Sequence, residues 1–283
     1  MNPATELYQK RLLSQGYPNL ETLGVEYFKV SQSNDAHLNW VMTCVTKLVD
    51  MSTMPKTVAV VGCGPQPYAL RALLAQGFDA TGIEPVPGSV QEARAFLNNS
   101  ERVHLGSAEV LPYANQSQSL VLLESVLEHV DSPLNSLAEC YRVLAPGGVL
   151  YVYTTNRLRF SLTGQNGEFR TRFYNWFPGL VKESYVFKHL HFAPHLSNFS
   201  PRPAVHWFTF TDLCKLGRLV GFAQFYSHLD LVDVNDPSVK SNSVRRFLVA
   251  NLQPRVIQSP WLRALALTQY GNSIFMYKRP ESH

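Results

Sequence analysis

The sequence predicts an α/β fold: a parallel sheet with helices on both faces. Three observations carry this. From Thr57 to Thr155, short apolar runs alternate with amphipathic stretches of helical spacing. The first apolar run, TVAVV (57–61), enters a glycine turn, GCG (62–64), and leaves it as a helix. After an aromatic-rich interruption the alternation resumes near Phe210 and closes on a last apolar run, NSIFMYKR (272–279).

Taken in order, AHLNWVMTCVTKLVD (36–50) has helical apolar spacing, while SQGYPN and SQSND before it read as loops. PYALRALLAQG is a helix closed by Gly77, DATGIE a second strand and GSVQEARAFLNN a helix. RVHLG and SLVLLES are the third and fourth strands. PLNSLAECYRVLA is a helix that stops at PGG, and VLYVYTT is the fifth strand. Downstream, FTDLCKLGRLVG is a helix opened by a Thr/Asp cap and FAQFYSHL a strand. Residues 229–271 form an irregular, partly helical addition. The expected organisation is a helical segment, 1–55, over the ligand cleft, then one domain, 56–283. Within that domain lie a lid insert, 156–206, and a second insert, 229–271.

Composition narrows the function. The chain is 45% hydrophobic and 16% charged, a globular balance. Cys44, Cys63, Cys140 and Cys214 lie far apart and suggest free thiols in a reducing compartment. The opening MNPATELYQKRLL lacks an apolar signal core, and no apolar run approaches the ~18 residues of a membrane span, so a soluble cytoplasmic protein is expected. The net charge of +4 divides unevenly: −1 over residues 1–55, −4 over 56–155 and +9 over 156–283. The half with the glycine turn is acidic, which suits a cation better than a polyphosphate.

The turn itself argues against a dinucleotide and rules out a P-loop. Gly62 and Gly64 let the backbone turn tightly and a ligand approach. A dinucleotide fingerprint needs a third glycine where this chain has Pro67, which supplies no N–H and adds a ring. No Gly-Lys-Ser/Thr follows, so this is not a P-loop. Glu84, at the end of the second strand, suits a ribose diol and repels a 2′-phosphate. These features describe a nucleoside without pyrophosphate, and S-adenosylmethionine has that chemistry: adenine, a free diol, an amino-acid tail and a cationic sulfonium.

Beyond the turn, VVGCGPQP, GIEP, GSAEVLPY, SLVLLESVLEHV, SLAECYRVLAPGGVLYVYTTNR and HWFTFTDLCKLGRLVGF follow one another as in a known family. Together they resemble the class I S-adenosylmethionine-dependent methyltransferases, small-molecule (type 11) branch. The resemblance implies a Rossmann-like, seven-stranded, mostly parallel sheet whose last strand is antiparallel, with S-adenosyl-L-methionine as cofactor. It implies that Gly62, Cys63 and Gly64 face the methionine part and that Glu84 and Pro85 bind the ribose. Ser107, Ala108 and Glu109 would edge the adenine, and Glu124 and Ser125 would stand beside the sulfonium. Ser107 and Ser119 replace aspartates usual in the family, which puts the adenine amino contact in question; Ser119 reads as structural. The Asn/Asp-Pro-Pro-Tyr/Phe motif of DNA-base and glutamine methyltransferases is replaced here by ESVLEH, which disfavours those acceptors.

Transfer from a sulfonium is an in-line displacement that mostly needs positioning and exclusion of water. A hydroxyl acceptor also needs a base, and His129 in LEHV is the expected one, with Glu128 orienting loops. The insert 156–206 holds ten aromatics, seven Lys/Arg and two acids. Arg157, Arg170, Arg172, Trp176 and His206 are the expected acceptor contacts, the arginines for an anionic part and the aromatics Phe173, Tyr174, Trp176 and Phe177 for an apolar wall. His189, His191, His195 and His206 match no standard zinc spacing, so no metal is expected. The expected function is O- or C-methylation of an apolar, glycan- or lipid-like small molecule with an anionic part. Two alternatives remain: an RNA methyltransferase, motivated by the basic aromatic insert, and a catalytically silent binding protein, motivated by Ser107 and Ser119. Nucleic acid is the less expected partner. Membrane-surface contact stays open, and oligomeric state is not fixed by these residues.

Overall fold

A computed structural model describes residues 35–50, 52–158, 173, 176–178, 181, 204, 206–268 and 271–280. The first described element is α1 (Asp35–Leu48), followed by β1 (Thr57–Val61), α2 (Tyr68–Ala75), β2 (Asp79–Glu84) and α3 (Pro87–Leu97). Then come β3 (Val103–Leu105), β4 (Gln118–Glu124), α4 (Pro133–Val143) and β5 (Leu144–Thr154). The downstream half contains α5 (Phe210–Val220), β6 (Gln224–Ser227) and α6 (His228–Leu231). It continues with α7 (Pro237–Lys240), α8 (Ser243–Asn251), α9 (Gln253–Gln258), α10 (Pro260–Leu267) and β7 (Asn272–Tyr277).

The seven strands form one sheet in the order β3-β2-β1-β4-β5-β7-β6. Strands β1 to β5 pair in parallel, and β7 runs antiparallel between β5 and β6. This is the Rossmann-like sheet the sequence implies. Its chain order reverses at β1/β4, and the carboxyl ends of those strands form the crevice where such sheets place ligands. β4 is buried at every residue but Glu124, as a central strand covered on both faces must be. Side chains alternate between two cores. One lies under α1, α2 and α3, with Val60, Leu122 and Tyr151; the other lies under α4 and α5, with Val61, Leu123 and Val152.

Three local differences from the sequence reading have physical causes. β5 begins at Leu144 and carries Pro146-Gly147-Gly148 inside it, with a register shift against β4 between Gln118 and Leu120. The strand expected over FAQFYSHL ends at Ser227, because Ser227 and Asp230 form a reciprocal capping box that turns His228 into helix. The expected irregular addition over 229–271 is largely helical, as α6 to α10. The helix expected over FTDLCKLGRLVG is α5; its capping box pairs Asp212 with Thr209, which lies just upstream of that segment, and Gly221, at φ +114°, closes it.

α1 is tied to the downstream half by its last turn. Lys47 Nζ contacts Asp233 and Asp236 at 2.7 Å each and donates to the Leu231 carbonyl at 2.6 Å. The ammonium thereby sits between two carboxylates and a helix-end carbonyl, which raises its pKa against the cost of burial. Lys278, also buried, donates to the carbonyls of Tyr141 and Leu144 at the end of α4 and lies over the Tyr141 ring.

Candidate functional site

The site grows from the end of β1. Gly62 and Gly64 adopt φ +69° and +68°, a region open to glycine. The N–H groups of Gly62 and Cys63 both donate to the Ile83 carbonyl, at 2.7 and 3.1 Å, pinning the turn to β2. A Cβ on Gly62 would lie 2.3 Å from Val126 Cγ2, so the turn also presses against the loop after β4. Proline at position 67 fits because it precedes α2, where no N–H is needed.

Glu84 is buried, and two backbone N–H groups hold its carboxylate. Its Oε2 accepts from the Gly64 N–H at 3.0 Å and its Oε1 from the Val86 N–H at 3.2 Å. The carboxylate thus bridges the glycine turn and the start of α3, and Pro85 beside it is exposed. An acceptor-only group held this way fits a ribose diol, which brings two donors.

The turn after β3 is fixed by α4. Arg142 forks onto Glu139 at 2.7 Å from both nitrogens and also donates to the carbonyls of Leu111 and Tyr113. Glu139 in turn accepts from the Leu111 N–H at 2.8 Å, and the guanidinium beside it holds its carboxyl below the usual range. This staple positions Ser107, Ala108 and Glu109. Ser107 bridges to Val110 and Ala108 is buried. Glu109 Oε1 accepts from the Asp131 N–H at 2.8 Å, whereas its buried Oε2 has no hydrogen-bond partner among the described residues. An orphaned acceptor beside this turn fits a ligand amino group. With the two glycines and Glu84, the residues present fit S-adenosylmethionine.

At the end of β4, Ser125 holds φ +53°, uncommon for a residue with a side chain, and its N–H donates to Tyr153 at 2.8 Å. Beside it stands a group the sequence reading did not single out. His37, on the first turn of α1, places Nε2 3.3 Å from both Glu124 Oε1 and the Tyr151 hydroxyl. Its ring stacks on Trp40 and meets Tyr153 edge-on. His37 and Glu124 are partly exposed, at 28% and 35%, so the pair faces the crevice edge. Burial, and the Glu124 charge next, hold the Tyr151 hydroxyl well above its ordinary pKa, so it stays protonated and receives a hydrogen bond from Ser273. Nothing local in the sequence links His37 to Glu124; the motif approach reads along the chain, and these residues meet only across the sheet.

His129 lies in the turn after β4, half-buried, with its N–H on the Val126 carbonyl at 2.9 Å. Glu128 next to it is fully buried: Oε2 accepts from Thr154 at 2.8 Å, while Oε1 has no hydrogen-bond partner among the described residues. His206 docks on this turn through its own N–H, to the Glu128 carbonyl at 3.2 Å, and through Nε2, 3.0 Å from the Val130 carbonyl. Burial lowers its pKa, so the ring is neutral at pH 7 and Nε2–H donates. Of the other expected acceptor contacts, Arg157 is exposed just past β5, its N–H on the Phe208 carbonyl at 2.8 Å. Trp176 is exposed and pairs with Phe173, ring centroids 5.0 Å apart. Arg170, Arg172, Tyr174, His189, His191 and His195 lie outside the described residues, as does the segment before Asp35. Among the described residues no cluster of three or more His, Cys, Asp or Glu is arranged to hold a metal ion. No described helix is long and apolar enough to cross a membrane.

Fold and site together define an α/β domain with a crevice at the carboxyl ends of β1, β2 and β4. Residues 59–152 match the family model described as a methyltransferase domain. This stretch, about a third of the chain, carries a class I methyltransferase domain of the small-molecule (type 11) kind, for which S-adenosylmethionine is the expected cofactor.

Among curated proteins, it is 32% identical over 106 residues to a probable S-adenosylmethionine-dependent methyltransferase of Mycolicibacterium smegmatis, covering 38% of this chain and 40% of that protein. It is 30% identical over 139 residues to the ubiquinone biosynthesis O-methyltransferase of Psychrobacter arcticus, covering 44% of this chain and 54% of that one. The chain therefore spans only about half, or less, of the length of these relatives. Among solved structures, the plantazolicin methyltransferase BpumL shares the fold at TM-score 0.54 and 15% identity, over 98% of both chains. A methyltransferase from Archaeoglobus fulgidus does so at TM-score 0.50 and 13% identity, over 90% of this chain and 98% of that one.

Proposed function

We propose that this protein is an enzyme that transfers the methyl group of S-adenosylmethionine to an oxygen or carbon of an apolar small molecule carrying an anionic part. The observation that carries the reading is the backbone-held Glu84 facing a turn of two positive-φ glycines. Gly62, Cys63 and Gly64 hold the amino-acid part of the cofactor, Glu84 and Pro85 the ribose, and Ser107, Ala108 and Glu109 the adenine edge. The unpartnered Glu109 Oε2 takes the role that the replaced aspartate leaves open. Glu124 and Ser125 face the sulfonium, which supplies the electrophilic methyl group when the cofactor is bound.

The proton of a hydroxyl acceptor passes to an imidazole. His129 is the one its motif suggests. The pairing of His37 with Glu124 favours His37, because the carboxylate 3.3 Å away orients the ring at the crevice edge. Under this reading α1 covers the crevice, and Arg157, with Arg170 and Arg172 from the insert, takes the acceptor's anionic part. Trp176 and His206 bound its apolar side.

The test is methyl transfer from labelled S-adenosylmethionine to a panel of hydroxylated apolar acceptors, run with His37→Ala and His129→Ala. Turnover that falls in His37→Ala and survives in His129→Ala supports the His37 assignment, and the reverse supports His129. Absence of S-adenosylmethionine binding would sink the reading altogether.

A further inference from the structure

We propose that the outer face of α8, α9 and α10 docks the protein on an anionic lipid surface. This insert leaves large apolar side chains in water. On α8, Val244, Phe247 and Leu248 share one face at i, i+3 and i+4, and Phe247 is 62% exposed. On α10, Trp261, Leu262 and Leu265 are exposed, Trp261 at 86%. Neither helix has a buried residue. Exposed large apolar side chains on successive helices point to an interaction surface.

The charge pattern selects the occupant. From residue 237 to 280 the sequence holds no Asp or Glu, while Arg245, Arg246 and Arg255 are exposed. The acids just upstream are engaged: Asp230 by Arg263 at 2.7 Å, and Asp233 and Asp236 by Lys47 at 2.7 Å each. A second copy of this face would bring arginine against arginine. The chain's own insert 156–206 is also cationic, at net +5. An apolar surface ringed by anions matches on both counts, with Trp261 suited to the headgroup boundary and arginines that keep their charge in water beside buried stems.

The unit is anchored from its inner side, so docking needs no refolding. Arg263 of α10 lies over Phe210, and Gln253 of α9 donates to the carbonyls of Leu229 and Val232 at 2.6 and 2.8 Å. At its end, the Leu267 carbonyl accepts from Asn156 Nδ2 at 2.8 Å, just beyond the carboxyl end of β5. The inner end of the unit thus lies just beyond β5, and docking stands whether or not the methyl acceptor is lipid-borne.

The test is co-sedimentation of the full chain with vesicles of phosphatidylglycerol and phosphatidylcholine in equal parts, against phosphatidylcholine alone. Binding is expected to be about tenfold tighter on the anionic vesicles and to weaken as salt rises. The exposed-face variant Phe247→Glu/Trp261→Glu, with an unchanged thermal melt, is expected to lose about tenfold or more. Arg245→Gln/Arg246→Gln is expected to lose the preference for anionic lipid while keeping residual binding. No binding to anionic vesicles, or equal binding by Phe247→Glu/Trp261→Glu, overturns the proposal. So does a wild-type dimer in sedimentation velocity that this variant dissolves, because the occupant is then a second copy.

Discussion

The two halves of the sheet solve different problems. Around β1, β2 and β4, acidic charge, positive-φ glycines and backbone hydrogen bonds fix a small crevice whose shape depends on few side chains. Around β5, β7 and β6, the sheet supports a basic insert whose helices are exposed and tethered at a few points, notably Arg263 and Gln253. Under the proposed function the first half holds the cofactor, and the second can change its surface without disturbing the crevice. The two proposals divide accordingly: the cofactor on the crevice side, the acceptor's anionic part and the lipid surface on the other.

The sharpest way to break this division is at the glycine turn. Gly62→Ala puts a methyl group 2.3 Å from Val126 Cγ2 at φ +69°. Strain of about 3 kcal/mol predicts at least ~100-fold weaker binding of S-adenosylhomocysteine, measured by calorimetry. His37→Ala tests whether chemistry draws on α1 as well as on the crevice. Turnover on a hydroxyl acceptor should fall by about 100-fold with cofactor affinity little changed, and steady-state kinetics beside a binding titration separates the two.

Smaller effects probe the supports. Arg142→Ala unpairs Glu139 and releases the turn at Ser107 to Glu109, which should cost about 1–3 kcal/mol in a denaturant melt and loosen cofactor binding modestly. The smallest effect concerns the thiols. Burial pushes Cys44 and Cys140 up to about 12 from an ordinary value of 9.0. Because the folded chain keeps these thiols protonated, their stabilising contribution is complete below pH 9 and is lost as pH rises from 9 toward 12. The melting temperature should decline over that window, and a thiol reagent at pH 8 should react with them only on unfolding.

Much of the crevice half was legible in the sequence because its signals are local. A strand that runs into GCG, an acid at the end of the next strand and apolar runs of the right length each follow from neighbouring residues. The downstream half was less legible for two reasons. Some signals were local but overlooked, such as Ser227 and Asp230 with capping-box spacing, which end β6 early. Others were not local at all. His37 meets Glu124, Lys47 meets Asp233 and Asp236, and Asn156 meets Leu267 only once the sheet has brought distant segments together. Pro146-Gly147-Gly148 reads as a stop, yet the partner strands carry it into β5.

The measurement that tests the central claim most directly is a calorimetric titration of the full chain with S-adenosylhomocysteine, beside a Glu84→Ala variant. Micromolar binding by the wild type is expected, with a loss of about tenfold to 100-fold in the variant, the scale of hydrogen bonds to a charged group. No binding by the wild type, or equal binding by the variant, would contradict it: the crevice at Gly62, Gly64 and Glu84 would then not be where a methyl donor is held.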